Sequence, residues 1–383
     1  MRRDGTGRYI QTSVAGELVR AYVPEVLPPI PALAMEGRDQ VALEKATLAV
    51  GRLDSICSLL PDPRVFLYTY VRKEAVLSSQ IEGTQSSLSD LLLFELEEAP
   101  GTPLEDVTEV SNYVAALEHG MRRMRDGFPL SNRLIREMHA ILMNSGRGSE
   151  KAPGEFRRSQ NWLGGTRPGN AVYVPPPPQE VEPCMAALER FIHDEADGMP
   201  VLIRAALAHV QFETIHPFLD GNGRLGRLLI ALMLTHGGVL SEPLLYVSLF
   251  FKQHRSIYYE LLNQVRTEGD WETWVAFFLE GVEVSAEEAV RMAAKLTALF
   301  RLDTEKIAGR GSALANAREL HSTFMRRPLL TLRYLSHVEG FNYNTASSAM
   351  KLLIESGIAR ELTGRKRDRV FVYTAYHDLL MES

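Results

Sequence analysis

The stretch His216–Arg227, HPFLDGNGRLGR, decides how the chain is read. Just before it, Ile203, Leu207, Val210 and Ile215 recur at helical spacing, the mark of an amphipathic helix. Pro217 must end or kink that helix, because its ring clashes with the preceding turn. His216 is therefore presented at a helix end, and Phe218 plugs the adjoining loop into the core. Asp220-Gly221-Asn222-Gly223 supplies two glycines free to take positive φ, after which Leu225, Leu228, Leu229 and Leu232 start a new helix. A glycine-rich loop running into a helix N-terminus gathers unpaired N–H groups and a favourable dipole into an anion site. Arg224 and Arg227 oppose that dipole by roughly 0.3–1 kcal/mol at an exposed site, a penalty that a bound polyphosphate reverses. DGNG alone reads equally well as a surface turn; an imidazole, an acid and two arginines around it make sense together only with an anionic ligand. An EF-hand loop starting at Asp220 is excluded by Ala231 at its twelfth position. No HExxH occurs, and His209 lacks a companion at metal spacing.

Outward from the loop, apolar residues at three- and four-residue spacing predict helices over 39–60, 64–82, 84–97, 104–126 and 131–144, with Ser131 and Asn132 at an N-cap. Further helices are predicted over 180–195, 200–215, 222–236, 252–268 and 270–300. Between Asn161 and Pro178 the pattern changes: β-prone runs around Trp162 and at Ala171 to Val174 flank Gly, Pro and Asn turn formers, and predict a lone hairpin. The first 37 residues, with VPEVLPPIPAL, predict an extended lead-in. GRGS at 309–312 interrupts the helical pattern, and a last short domain begins near Leu320. It reads as a helix from Phe324, a second helix closing at Gly357, a strand from Ile358 to Leu362, a basic turn with Arg365, Lys366, Arg367 and Arg369, and a strand from Val370 to Thr374. That order resembles a winged helix, although the candidate recognition helix offers only Lys351 as a cation, beside Asn344, Ser347 and Ser348. Both DNA binding and a protein-docking or dimer module suit it.

HPFLDGNGRLGR resembles the signature of the Fic family, HxFx(D/E)GNGRxxR, at every specified position, and the likeness extends over roughly residues 35 to 300. The resemblance implies a mostly α fold: a Fic-type helical bundle with a β-hairpin flap, plus a small C-terminal winged-helix domain. The expected divisions are 1–103, an N-terminal helical segment carrying an inhibitory motif; 104–300, the catalytic domain; 301–320, a connecting helix or linker; and 321–383, the winged-helix-like domain. It further implies a protein adenylyltransferase, which moves AMP from ATP to a Ser, Thr or Tyr hydroxyl. His216 would be the general base and Asp220 would hold Mg²⁺. The loop amides from Gly221 to Gly223, with the Asn222 side chain, would stabilise phosphate charge. Arg224 and Arg227, flanking Leu225 and Gly226, would fix the β- and γ-phosphates. Tyr258 and Tyr259 resemble the family's adenine-pocket tyrosines and fit core aromatics equally. The flap would hold a target segment by strand addition.

Ser78, Glu82 and Gly83 fit the family's inhibitory string (S/T)xxxE(G/N). Gly83 looks like a helix C′ residue, which puts the Glu82 carboxylate in a last turn where it opposes the dipole and wants a cation. The resemblance makes that cation Arg227 and the result an autoinhibited enzyme; the same glutamate could instead position water for removing AMP. The competing class is a nucleotide-sensing DNA-binding regulator.

Composition bounds the rest. The 383 residues, 45% hydrophobic and 23% charged, suit two or three globular domains. Cys57 and Cys184, with no CxxC, fit neither a disulfide framework nor a zinc site and favour a reducing compartment. The start MRRDGTGRYIQTSV lacks an apolar h-region, and the apolar run Leu228–Leu234 is far short of the roughly 20 residues that span a bilayer, so a cytoplasmic protein without membrane contact is expected. From His321 onward nine Lys/Arg face six Asp/Glu, a plus 3 segment in a chain of net charge minus 6, which sets the tail apart. The expected partners are ATP, a target protein or the chain itself, a second copy of the chain, and DNA at the tail.

Overall fold

The computed structural model describes residues 2–3, 5–59, 63–96, 103–146, 148–194, 198–308, 314–365 and 367–381. The predicted break at 309–312 and the basic-turn residue Lys366 lie outside them. The chain is mostly helical. Its first helices are α1 (Arg38–Leu59), α2 (Pro63–Ile81), α3 (Leu88–Phe94), α4 (Leu104–Arg125) and α5 (Asn132–Leu142). Two of them begin where short polar side chains satisfy the first amides: Ser131 accepts from the Leu134 N–H on α5, and Ser87 and Asp90 form a reciprocal capping box on α3.

Then come α6 (Pro178–His193), α7 (Val201–Ile215), α8 (Asn222–His236), α9 (Ser248–Gln253), α10 (Arg255–Glu268) and α11 (Trp271–Ala308). The helix predicted over 252–268 is two, because His254 leaves helical geometry between α9 and α10. The helix predicted to stop at 300 continues to Ala308, keeping Asp303 and Ile307 buried, so the division at 300/301 falls inside α11.

The core centres on α7. Apart from Val201 and Glu213 its residues are all buried, with α6, α8, α10 and α11 packed around it. A helix buried on every side must bring partners for its polar groups. His209 donates from Nδ1 to the Gly226 carbonyl at 3.0 Å and accepts from the Tyr258 hydroxyl at 2.9 Å. The Trp274 indole donates to the Ala206 carbonyl.

The lead-in is not merely extended. Residues Gly7–Val14 and Glu17–Pro24 form an antiparallel hairpin, β1 and β2. Its turn residues Ala15 and Gly16 both have positive φ, 49° and 84°, the primed turn that matches strand twist. The prolines at 28, 29 and 31 all lie beyond β2.

At the other end lie α12 (Leu314–Arg326), β3 (Leu329–Thr331), α13 (Leu332–His337), α14 (Tyr343–Glu355), β4 (Ala359–Glu361), β5 (Val370–Tyr373) and α15 (Thr374–Met381), with an antiparallel sheet of order β3-β5-β4. The helix predicted from Phe324 is the end of α12; Pro328 comes next, and β3 is too short for a periodicity signal. This unit grips the body. The Tyr373 hydroxyl donates to Asp303 at 2.7 Å, the Tyr376 hydroxyl lies 3.0 Å from Thr69 of α2, and His377 pairs with Ser89.

Candidate active site

The end of α7 explains how the imidazole is presented. Proline disfavours helical geometry in the residue before it, and His216 takes left-handed angles, φ 49° and ψ 60°, a strained choice for a non-glycine residue. Arg157 holds that turn: its Nε donates to the His216 carbonyl at 2.9 Å, and its Nη2 to the Pro176 and Ile215 carbonyls. Burial and the Arg157 charge push the imidazole down to about 4, so the ring is neutral at pH 7. Its Nδ1 is buried without a hydrogen-bond partner of ordinary geometry.

Phe218 is fully buried and its N–H and C=O are both bonded by the Asn222 side chain at 2.9 Å. That side chain therefore braces the loop. Gly221 takes φ 75° at the N-cap of α8. The Gly221 N–H donates to its own neighbour, Asp220 Oδ1, at 2.7 Å. The first amides of α8, from Asn222 to Arg224, have no intrahelical partner by position.

Two cations meet two acids around these amides. Arg227 donates to the Ser78 hydroxyl and carbonyl and, at 2.7 Å, to Glu82 Oε1. Burial alone would raise the Glu82 carboxyl, but the charge and hydrogen bond of Arg227 outweigh it and hold the group ionised below its usual range. Glu82 also lies against the amide loop: a Cβ built on Gly223 would run into its carboxylate. The predicted meeting of Ser78, Glu82 and Arg227 is thus present. Arg224 instead pairs with Glu109 of α4 at 3.1 Å, both side chains 2% exposed.

Lys151 donates to Asp220 Oδ2 at 2.8 Å. This, with the Gly221 N–H, holds the Asp220 carboxyl low against the opposing effect of burial. His139 fixes the loop from behind. The Gly154 N–H donates to its Nδ1, so Nε2 carries the proton and donates to the Asp220 carbonyl at 3.0 Å, while its ring stacks on Phe218 with centroids 3.7 Å apart.

The cavity between these groups holds about 210 Å³ and is lined by Glu82, Asn161, Trp162, His216 and the 219–224 loop. Asn161 and Trp162 come from the segment predicted as a lone hairpin. It is neither lone nor a full hairpin: one bridge joins Leu163 and Tyr173, a 3-10 turn fills Pro168–Asn170, and Val174 is bonded to β2. Tyr258 is a core aromatic, 1% exposed and stacked on Phe251 at 4.6 Å. Tyr259 is exposed beside it. Leu225 and Gly226 pack inside α8. Among the described residues no three His, Cys, Asp or Glu side chains gather into a metal-binding group, and no helix is long and apolar enough to cross a membrane.

Residues 40–122 match the family described as Fic/DOC family N-terminal, and residues 129–234 the one described as Fic/DOC family. Both segments thus carry Fic/DOC family sequence. Ser78 and Glu82 lie in the first, and His139, Lys151, Arg157 and the whole 216–227 loop in the second. A Drosophila ananassae protein named protein adenylyltransferase Fic is 31% identical over 184 residues, 48% of this chain and 34% of that protein. The Culex quinquefasciatus protein of the same name is 37% identical over 131 residues, 34% of this chain and 23% of its own length. The chain thus spans about a third or less of these curated relatives. In fold it is similar to a Fic family protein from Desulfovibrio desulfuricans G20, with TM-score 0.60 and 21% identity over 90% of this chain and 98% of the other. It is also similar to Fic-1 from C. elegans, with TM-score 0.54 and 21% identity over 67% and 74% of the two chains.

Arg157, Lys151, His139 and Glu109 went unnoticed in the sequence, since each acts through a contact far along the chain. Only the buried-face position of Glu109 on α4, where apolar residues are expected, could have drawn notice.

Proposed function

We propose that this chain transfers AMP from ATP to a hydroxyl of a protein, and that Glu82 restrains it. One observation carries the reading: a carboxylate already rests against Arg227 and the amides opening α8, where a phosphate chain finds the same donors. The relatives named protein adenylyltransferase support the chemistry.

In the reaction His216, neutral at pH 7, takes the proton of the acceptor hydroxyl. The oxygen attacks the α-phosphorus, the bond to the β-phosphate oxygen breaks, and pyrophosphate leaves. The amides of Asn222 to Arg224 stabilise charge on the phosphate oxygens. Arg227, freed from Glu82, holds the terminal phosphate; Arg224, paired with Glu109 but lining the same cavity, adds its charge. Asp220 fits a magnesium ion: a hard carboxylate oxygen at the cavity edge is neutralised here by the Lys151 ammonium. Bound there, the ion would neutralise phosphate charge. Tyr259 offers an exposed ring beside the pocket.

The C-terminal unit is read as a winged helix from its helix–strand–helix–helix–strand–strand order and its β3-β5-β4 sheet, and exposed Arg365, Arg367 and Arg369 on its β4–β5 turn suit phosphate contact. A salt-dependent gel shift with the full chain tests that part. The 30% exposure of the Glu82 side chain also suits a water-positioning role in removing AMP, which loss of label from modified protein would reveal.

The central test is incubation with labelled ATP and Mg²⁺. The Glu82→Gly chain is expected to label protein at least tenfold faster than the parent, and His216→Ala in that background to abolish labelling. Labelling that survives His216→Ala would overturn the mechanism, and equal labelling with and without Glu82 would overturn the restraint.

A further inference from the structure

The segment 161–174 is poorly equipped to hold itself. Its single bridge consists of the Leu163 N–H donating to the Tyr173 carbonyl at 2.8 Å and the Val172 and Tyr173 amides donating back to Leu163 at 2.9 and 3.1 Å. Two-stranded ribbons with more pairing than this are marginal in water. Support comes from the other end of the sequence. The Tyr22 N–H of β2 donates to the Val174 carbonyl at 2.9 Å, which occupies that edge of the segment. Glu17, at the β1–β2 turn, accepts on one oxygen from Arg167 Nη1 at 2.7 Å and from the Gly169 N–H at 2.8 Å. A Cβ on Gly169 would run into that carboxylate, so glycine permits the approach.

The hairpin that carries Glu17 is itself tied down away from the segment. Arg3 is bidentate to Glu272 at 2.6 and 2.8 Å, the Thr6 hydroxyl donates to the Arg266 carbonyl, and Gln211 donates to the Glu25 carbonyl. On the segment's inner side the Tyr173 hydroxyl donates to the Thr214 carbonyl at 2.6 Å, two residues before His216. The opposite run, Asn161 and Trp162, lines the cavity. The loop is therefore clamped between the catalytic helix and a strap from the N-terminus, and Glu17 is the strap's charged contact with the loop tip.

We propose that Glu17 is a positioning residue for the polypeptide acceptor: by holding Arg167 and the Gly169 amide it keeps the Trp162 edge at a fixed distance from His216, so that an acceptor chain lying along that edge presents its hydroxyl to the imidazole. The acceptor role rests on the AMP-transfer reading above, whereas the clasp stands on the contacts alone.

Two measurements on the intact chain test it. In hydrogen exchange, Glu17→Ala is expected to speed exchange of the 163–173 amides by about tenfold without altering those of α7 and α8, and Glu17→Gln, which keeps an acceptor for Gly169, to fall between. In the Glu82→Gly background with labelled ATP, the amount of AMP placed on the chain itself is divided by the AMP released to water. Glu17→Ala is expected to lower that ratio by about tenfold and Glu17→Gln to restore part of it, a pattern that a merely structural loss would not give, since it would reduce both products together. Unchanged exchange in Glu17→Ala would overturn the clasp. Faster exchange with an unchanged ratio would overturn the acceptor role. No ATP turnover in the Glu82→Gly background would sink the AMP-transfer reading and the acceptor role with it, leaving exchange to report on the clasp separately.

Discussion

Two arginines three residues apart on α8 meet their acids in different surroundings. The pair Arg224–Glu109 is closed, with both side chains 2% exposed; in Arg227–Glu82 the arginine is 1% exposed but the acid is 30% exposed, on the cavity side. A pair with both side chains buried holds its partners in place, and losing one member leaves a charge in low dielectric, although Arg224 also lies 3.9 Å from Asp220. A pair open on the acid side can trade that acid for another anion. The first arginine is therefore held from both sides, whereas the second faces the cavity through its acid, although the sequence motif writes them alike.

The comparison breaks most visibly in stability. Glu109→Ala is expected to cost about 3–5 kcal/mol, read as a lowered urea midpoint at unchanged slope; a loss below about 1 kcal/mol would show that Arg224 finds water or another acid. Glu82→Gln should lower the midpoint less, because Arg227 keeps both bonds to Ser78 and water reaches it from the cavity that Glu82 lines. The same substitution should tighten ATP binding about tenfold, or roughly 1.4 kcal/mol, by calorimetry. Equal affinity would mean that the carboxylate does not compete with phosphate.

Acid sharpens the distinction with a smaller effect. Glu82 is held below its usual carboxyl range by Arg227 after burial is overcome, so the charge that engages the arginine is present above its ordinary value and is lost only as pH falls through the depressed one. The ratio of Glu82→Gln to parent activity should stay constant from pH 7 to 5. On the proposed reading the neutral imidazole should likewise persist, since burial and the Arg157 charge push His216 down to about 4. Stability moves over the same span: His139, His209, His216 and His321 are buried neutral at about 4, 3, 4 and 4, so the unfolded chain binds more protons below 6.5 and the fold weakens as pH drops. Glu74 and Glu213, raised by burial to about 7, partly offset this. A denaturation midpoint that rises between pH 6.5 and 5 would contradict that balance.

Local chemistry was legible in the sequence. Pro217 after His216, the glycines at 221 and 223, and the cap at Ser131 act within a turn of themselves, and the helices they bound lie where spacing predicts. Glu82 could be matched to Arg227 only through the family likeness, because nothing within reach of either names the other. The β1–β2 hairpin hid behind the prolines after it, and its turn, Ala15-Gly16, is not a dipeptide that advertises a primed geometry. The bracing role of Asn222 was hidden for a related reason: nothing in the sequence shows that the backbone of buried Phe218 needs a partner. Long-range partners such as Arg157 and Lys151 carry no periodic signal at all.

The carboxylate that meets Arg227 is tethered 145 residues away in the same polypeptide. Its effective concentration at the arginine is fixed by the fold, so diluting the protein leaves the contact as it is. Release must come from a competing anion or from movement of α2, whose opposite end sits under Tyr376 and Arg327.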